Sequence, residues 1–512
     1  MGVAAVKAST APQAVVQPPD VHQHVFPTDT GAQIRAKVAA AGVGGRVFFH
    51  KGHYYLDTAG SNGQWLDLFP DSAYRNIKIW FESAAGYDRT DVDSAWLDHQ
   101  FHGVAVGIWN RTGGAPSGPF PAQGVELRGG VFTNLGRDSN AHHSWGSTVR
   151  LDGEATAPAP RGGFVMEDMV FKDTWQRGCS IVAGASVPVG ASVMSPSYMT
   201  RVYAWNCGLS GATALGHNIW VSSCRFRANN FRTTLPTNDP DYFSGNNDDA
   251  NTKFFVSRGG FNMNWAHDGP GYGLWNDWFL HDTMWTNNVM ENNASSGLFL
   301  EANLGGNYVQ HNYFLNNGNV PGTGWVYGSG NYLSTTADPL DPLYAGYATD
   351  DDAWSHALLS RPPNYVPYDY PIIDISYNVM DNYGDGPSGI EFPSGEYPFL
   401  PPHPWQVVLY NYNRGGTTKQ CRAFKVHHNQ LWIRGDGLAM GGRNEGFAQA
   451  PAVANIWTDP TNEWHDNEYH VSGLSNKNWC WGPYQGWSME PYTWAQWQAV
   501  MGHDAGSTRV LI

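Results

Sequence analysis

Asn288-Val-Met-Glu-Asn-Asn293 is followed 24 residues later by Asn312-Tyr-Phe-Leu-Asn-Asn317, and Asn264 stands 24 residues before the first phrase. A second column lies between them, Gly273-Leu-Trp-Asn-Asp277 against Gly297-Leu-Phe-Leu-Glu301, at the same offset. The phrase returns at Asn378-Val-Met-Asp-Asn382 and more loosely at Asn429-Gln-Leu-Trp-Ile433. Elsewhere, short β-like runs such as Gly124-Val-Glu-Leu-Arg-Gly-Gly-Val-Phe132 and Asn218-Ile-Trp-Val-Ser-Ser-Cys-Arg-Phe226 are punctuated by Gly and Asn. No amphipathic pattern of the length a βαβ unit needs lies between them. Strands joined by turns alone at a fixed period form a coil in which each circuit adds one parallel strand to each of several sheets. Residues one circuit apart then sit about 4.7–4.9 Å from one another, the strand spacing. Asn264, Asn288 and Asn312 are expected to form an amide ladder at a left-handed turn, a conformation Asn tolerates.

Outward from this core, three segments are expected. Residues 1–27 form an arm, 28–480 the helix of strands, and 481–512 a closing segment. Long excursions leave the coils near 333–371 and 393–405. Thr30 and Gln33 have capping-box spacing before Ile34 and Val38, and Thr493 and Gln496 repeat it before Trp497. Each spacing predicts a short helix, and the two helices would cover the open ends of the coil.

Composition narrows the partners. The net charge is −15 with 15% charged residues, so duplex nucleic acid, which needs clustered Lys and Arg, is excluded. An acidic glycan is repelled at long range unless a local basic cleft overrides the field. No run of about 18 apolar residues would span a membrane, and residues 1–20 lack the apolar stretch of a signal peptide. The 5 Cys show no CxxC pair and read as buried thiols. The 23 Trp, 25 Tyr and 23 Phe divide between core packing and flat surfaces for sugar rings.

His267-Asp-Gly-Pro-Gly-Tyr-Gly-Leu-Trp-Asn-Asp277, Glu291-Asn-Asn293 and Gly297-Leu-Phe-Leu-Glu301 resemble the central coils of right-handed parallel β-helix proteins of the pectate-lyase-like superfamily. Trp494-Ala-Gln-Trp497 with Gly502-His-Asp504 and Ser507 resembles their closing segment. The resemblance implies an all-β chain, a single-stranded right-handed parallel β-helix with short capping helices at both ends. The superfamily includes lyases, hydrolases, epimerases and phage tailspikes. The Arg-centred motif of pectate lyases and the Asp-Asp and Gly-His-Gly motifs of polygalacturonases are both missing.

Asp277 and Glu301, stacked with side chains outward, would hold carboxyls roughly 5 Å apart, as retaining glycosidases hold acid and nucleophile. His267 and Asp268, one coil earlier, would add a base or proton shuttle, and His267 aligns with Glu291. Trp275, Trp278, Trp285 and Trp325 would stack on sugar, and Lys253 would meet a uronate or serve as a lyase base. Hydrolysis of this kind requires no cofactor. Asp248 and Asp249 supply oxygens of the type calcium takes. These features indicate a protein that binds a polysaccharide or cell-surface glycan and cleaves it. The competing readings are a non-enzymatic glycan-binding or structural virion component, and a polysaccharide lyase. Resemblance to phage tail proteins implies a homotrimer in a virion or outside the cell, joined to other particle proteins through the arm.

Overall fold

The computed structural model describes residues 2–55, 66–67, 76–100, 108–110, 124–134, 147–152, 162–183, 195–236, 239, 250–276, 280–294, 297–300, 303–305, 307–317, 331–334, 373–381, 405–414, 417–419, 424–433, 438–444, 462–476, 478–481, 490–501 and 504–512. They fall into two compact units, residues 2–265 and 266–512. In both, successive strands pass in turn to three parallel sheets, so the chain is a right-handed parallel β-helix. Most of both expected excursions lie outside the described residues.

In residues 2–265 the register of the first sheet runs Val47, Ile79, Leu127, Met166, Met199, Val221 and Phe261. Each is at most 1% exposed. The second sheet contributes Leu97, Phe132, Phe171, Ala204 and Phe226, and the third Leu151, Ile181, Ala214 and Phe254. Alternation along each strand sends one set of side chains inward and the other out, and these inward columns are the core. Residues 266–512 repeat the plan with Trp285, Val309, Ile375, Val426 and Trp464 on the first sheet. Met290, Phe314, Met380, Leu431 and Tyr469 follow on the second.

The ladder runs along the turn between the first and second sheets of residues 266–512. The backbone N–H of Asn288 donates to Asn312 Oδ1 (2.9 Å), Asn312 to Asn378 (2.9 Å), Asn378 to Asn429 (3.1 Å) and Asn429 to Asn467 (3.1 Å). Their side-chain amides also donate along the same line. Every ladder residue is buried. The left-handed conformation falls one residue earlier than the sequence suggests, at Asn287, His311, Tyr377, His428 and Asp466. The reason is geometric: the ladder side chain must point into the turn, so the backbone reverses just before it. A second buried ladder links Gly269, Asn293 and Asn317.

Both capping boxes form. Thr30 Oγ1 accepts from Gln33 N, and helix Gly31–Ala41 buries Ile34 and Val38. Thr493 and Gln496 exchange the same bonds ahead of helix Trp494–Met501. Beyond that helix the ladder ends on a buried carboxyl: Asn467 N donates to Ser507 Oγ (2.8 Å), and Ser507, Tyr469 and Trp497 all donate to Asp504. Residues 2–27 pack on their own unit. Val3–Ser9 is a helix with Val6 buried, Lys7 lies over the Trp265 ring (4.7 Å), and Gln13 N donates to Asp168 Oδ1 (2.6 Å). Cys179, Cys207 and Cys224 are buried free thiols, and burial pushes Cys207 and Cys224 up to about 12.

Asn312→Ala strands buried donors and acceptors of Asn288, Asn378 and the Trp285 carbonyl. It is expected to cost about 2–4 kcal/mol and to lower the thermal unfolding midpoint measured by circular dichroism. Burial raises the Asp504 pKa, against hydrogen bonds that lower it. With the folded value above the unfolded one, the stability this carboxyl lends is present below the ordinary carboxylate range and is lost as pH rises through the raised value. Melting midpoints recorded across pH are therefore expected to vary less in Asp504→Asn than in the parent through that window.

Candidate functional site

The register of the third sheet carries the offset of 24 through Leu274 with Leu298, Trp275 with Phe299 and Asn276 with Leu300. Asp277 and Glu301 come next in sequence. They lie outside the described residues, as do Trp278, Trp325, Asp248 and Asp249.

Of the described candidates, His267, Trp275, Trp285 and Lys253 are buried, whereas Asp268 is exposed. His267 is 4% exposed, and its Nδ1 faces Asp268 Oδ2 at 2.8 Å. Asp268 has a left-handed backbone (φ +56), its N–H donates to the Glu291 carbonyl (3.1 Å), and its Oδ1 accepts from Asn292 Nδ2 (3.4 Å). Asn316 continues the line by donating to Asn292 Oδ1 (2.8 Å). His267 thus lies one coil from Glu291, as the repeat requires, but in a hydrogen-bonded turn rather than an open cleft.

Two Trp expectations and that for Lys253 need correction. Trp285 is fully buried in the core column of the first sheet, with Nε1 donating to Thr283 Oγ1 (2.9 Å). Trp275 is 5% exposed and packs against Phe299 with ring centroids 5.2 Å apart. Neither presents a ring face to a polysaccharide. Lys253 is 3% exposed and lies over the Phe255 ring (5.3 Å), so its ammonium is not displayed to a uronate.

An open aromatic surface lies elsewhere among the described residues, on the outer face of the first sheet in residues 2–265. Ile219 and Val221 point inward, so Trp220 points out. It pairs in register with Tyr198 on one side and Gly260 on the other. A Cβ placed on Gly260 would come within 2.4 Å of Trp220 Cζ3 and 2.5 Å of Cε3, so the indole lies across the glycine. Its Nε1 donates to Asn218 Oδ1 (2.9 Å), which fixes the ring's rotation. Trp220 nevertheless remains 36% exposed and Tyr198 41%. A ring supported underneath, held at its edge and open above has the shape that receives the apolar face of a sugar.

Earlier strands of the same face carry charges that neutralise one another. Arg128 Nε pairs with Glu126 (2.7 Å) and its Nη1 with Glu167 (3.1 Å), while Arg201 bonds Glu167 and Asp168. The Asp168 hydrogen bond raises the Arg201 pKa further, keeping it cationic. The second sheet's outer face in this unit is less open. Arg225 lies over Tyr87 (4.5 Å) and Trp265 (4.2 Å), and Tyr87 Oη meets the buried Thr10 of the arm at 2.7 Å.

Tyr198, Trp220 and Gly260 do not stand out as a site in the sequence. Their separations along the chain are not 24, so the repeat that exposed the other columns did not align them. The inward and outward alternation of Ile219-Trp-Val221 was the available signal.

No family model matches the chain, and no curated protein does. Among solved structures it is similar to the A-module of the mannuronan C-5 epimerase of Azotobacter vinelandii, at 12% identity and a TM-score of 0.49, covering 94% of this chain and 96% of that one. It is also similar to the tailspike protein of E. coli bacteriophage HK620 in complex with pentasaccharide, at 11% identity and a TM-score of 0.39, covering 90% and 64%. Pectate lyase Pel9A matches at 14% identity and a TM-score of 0.32, covering 68% and 90%.

Proposed function

We propose that this chain is a polysaccharide-binding β-helix that receives a neutral stretch of glycan on Trp220 and Tyr198 and cleaves glycosidic bonds with Asp277 and Glu301. The observation that carries the binding half is the seating of Trp220 on Gly260, which leaves one large, rigid ring face open. Little side-chain entropy remains to be lost on binding, because packing and the Asn218 bond already fix the ring. Neutral sugars suit this face: its Arg and Glu side chains are committed to one another, and the net charge of −15 opposes polyanions.

The cleavage half rests on the offset of 24, held in the described strands through Asn276 and Leu300, the positions just before Asp277 and Glu301. Burial of Lys253 and His267 counts against a lyase that would use either as base. The non-enzymatic alternative draws support from the same burial, since among the described candidates only Asp268, paired with His267, is exposed. In this reading the chain acts outside the cell or in a virion, as a trimer.

Trp220→Ala is expected to weaken binding to a recognised bacterial envelope glycan tenfold or more in titration calorimetry, about 1.4 kcal/mol. Gly260→Val should weaken it similarly by lifting the ring, whereas Tyr55→Ala, exposed on another sheet, should not. Equal affinity in Trp220→Ala and the parent would sink the platform. Asp277→Asn and Glu301→Gln should each abolish reducing-end release while binding persists. Binding without release by the parent would select the non-enzymatic reading, and unsaturated ends would select the lyase. Light scattering should give three times the 56.4 kDa chain mass.

A further inference from the structure

Three histidines, none of them among the candidate glycan-binding or catalytic residues, converge on the first sheet of residues 266–512. His427 closes strand Phe424–His427, His428 follows it in the left-handed conformation (φ +54), and His465 closes the next strand, Glu463–His465. The register pairs His427 with His465, and their rings stack 4.9 Å apart at an interplanar angle of 8°. His427 Nδ1 and His428 Nδ1 face each other at 2.8 Å. One ligand nitrogen from each of the three lies within 4.8 Å of the other two. His428 is exposed and the other two are half-buried, so an ion has access from solvent.

We propose that His427, His428 and His465 bind one divalent transition-metal ion of the zinc class. Imidazole nitrogens are ligands for zinc, cobalt, nickel and copper, whereas calcium takes oxygen, so this site is distinct from the calcium expectation at Asp248 and Asp249. Metal–nitrogen bonds of about 2.0–2.1 Å in a tetrahedral site set the ligand nitrogens about 3.3 Å apart, so binding would rotate the rings to close the wider separations and open the 2.8 Å His427–His428 contact. Carboxylates already stand where such a site needs them. Asp374 Oδ2 lies 3.4 Å from His427 Nε2, and Asp466 Oδ2 2.8 Å from His465 Nδ1. Each holds one ring nitrogen and leaves the other for the ion, the arrangement that orients metal-binding imidazoles. Asp374 itself is fixed by Ser376 Oγ (2.5 Å). A fourth position falls to water. Because His427 and His428 come from one coil and His465 from the next, the ion would also tie consecutive coils together.

The test uses the full chain stripped with chelator and titrated with Co2+, whose visible absorption reports four-coordinate binding, followed by displacement with Zn2+. One saturating equivalent is expected in the parent, accompanied by a rise in the thermal midpoint. His427→Asn and His465→Asn should each weaken binding at least tenfold and abolish that rise, with folding checked by circular dichroism. Should either fail to fold, His428→Asn, altered at an exposed ring, serves instead. His470→Asn, stacked on Trp432 outside the cluster, should bind as the parent does. No saturable band in the parent, or an unchanged band in a folded cluster variant, overturns the assignment.

Discussion

The structure depends on how a parallel coil satisfies its backbone at the corner where one sheet passes to the next. A strand that turns without a helix leaves an amide N–H pointing into a corner that water does not reach. Unpaired, that group would cost about as much as a lost hydrogen bond at every circuit. In residues 266–512 the corner is filled by Asn, whose carbonyl accepts the N–H of the coil before it and whose amide donates onward. Each Asn is both cap and donor, so the line stays satisfied along its length and ends on Ser507 and Asp504. Such a chain of buried bonds is costly to interrupt, because removing one member leaves partners on both sides.

This constraint fixes the corner and leaves the circuit's length free. Ladder neighbours are separated by 24, 66, 51 and 38 residues, yet the bond between them keeps nearly the same length. Insertions therefore enter between corners, and the stacking resumes at the next Asn. That tolerance lets a rigid shaft carry long excursions, the segments on which binding and catalysis are most often built.

The repeat is legible in the sequence because Asn is unusual in a core and therefore easy to follow: Asn288, Asn312, Asn378 and Asn429 each open a similar phrase. Asn467 carries a weaker signal, because its phrase, Asn467-Glu-Tyr-His470, shares only the Asn. The aromatic residues were harder, since Trp suits both faces of a strand and composition cannot say which it occupies. Parity relative to the ladder does say. Three residues before each ladder Asn stand Phe261, Trp285, Val309, Ile375, Val426 and Trp464, all buried. Trp285 shares that parity and belongs to the core. Cys224 occupies the same corner, with its N–H bonded to Asn264 Oδ1 (3.0 Å), so Val221 is core and Trp220 must point out. The corner carries Cys there instead of Asn, which hid the alignment.

The same parity accounts for what gathers on the outer faces. In-register stacking brings side chains of successive coils to about strand spacing, so each outward column must be self-compatible. Like charges in one column would repel, and the structure shows the solutions that avoid this. Glu126, Arg128, Glu167 and Arg201, linked in that order, alternate in sign. Trp220 lies down over Gly260, where the absence of a Cβ makes room. His427 and His465 stack face to face, and each has a carboxylate at one ring nitrogen. Of these, the ion pairs consume their own binding capacity, whereas the supported indole and the clustered imidazoles keep a face or a lone pair for something else. In a fold that places like upon like, a column that remains unsatisfied by its neighbours is where a ligand has room to act.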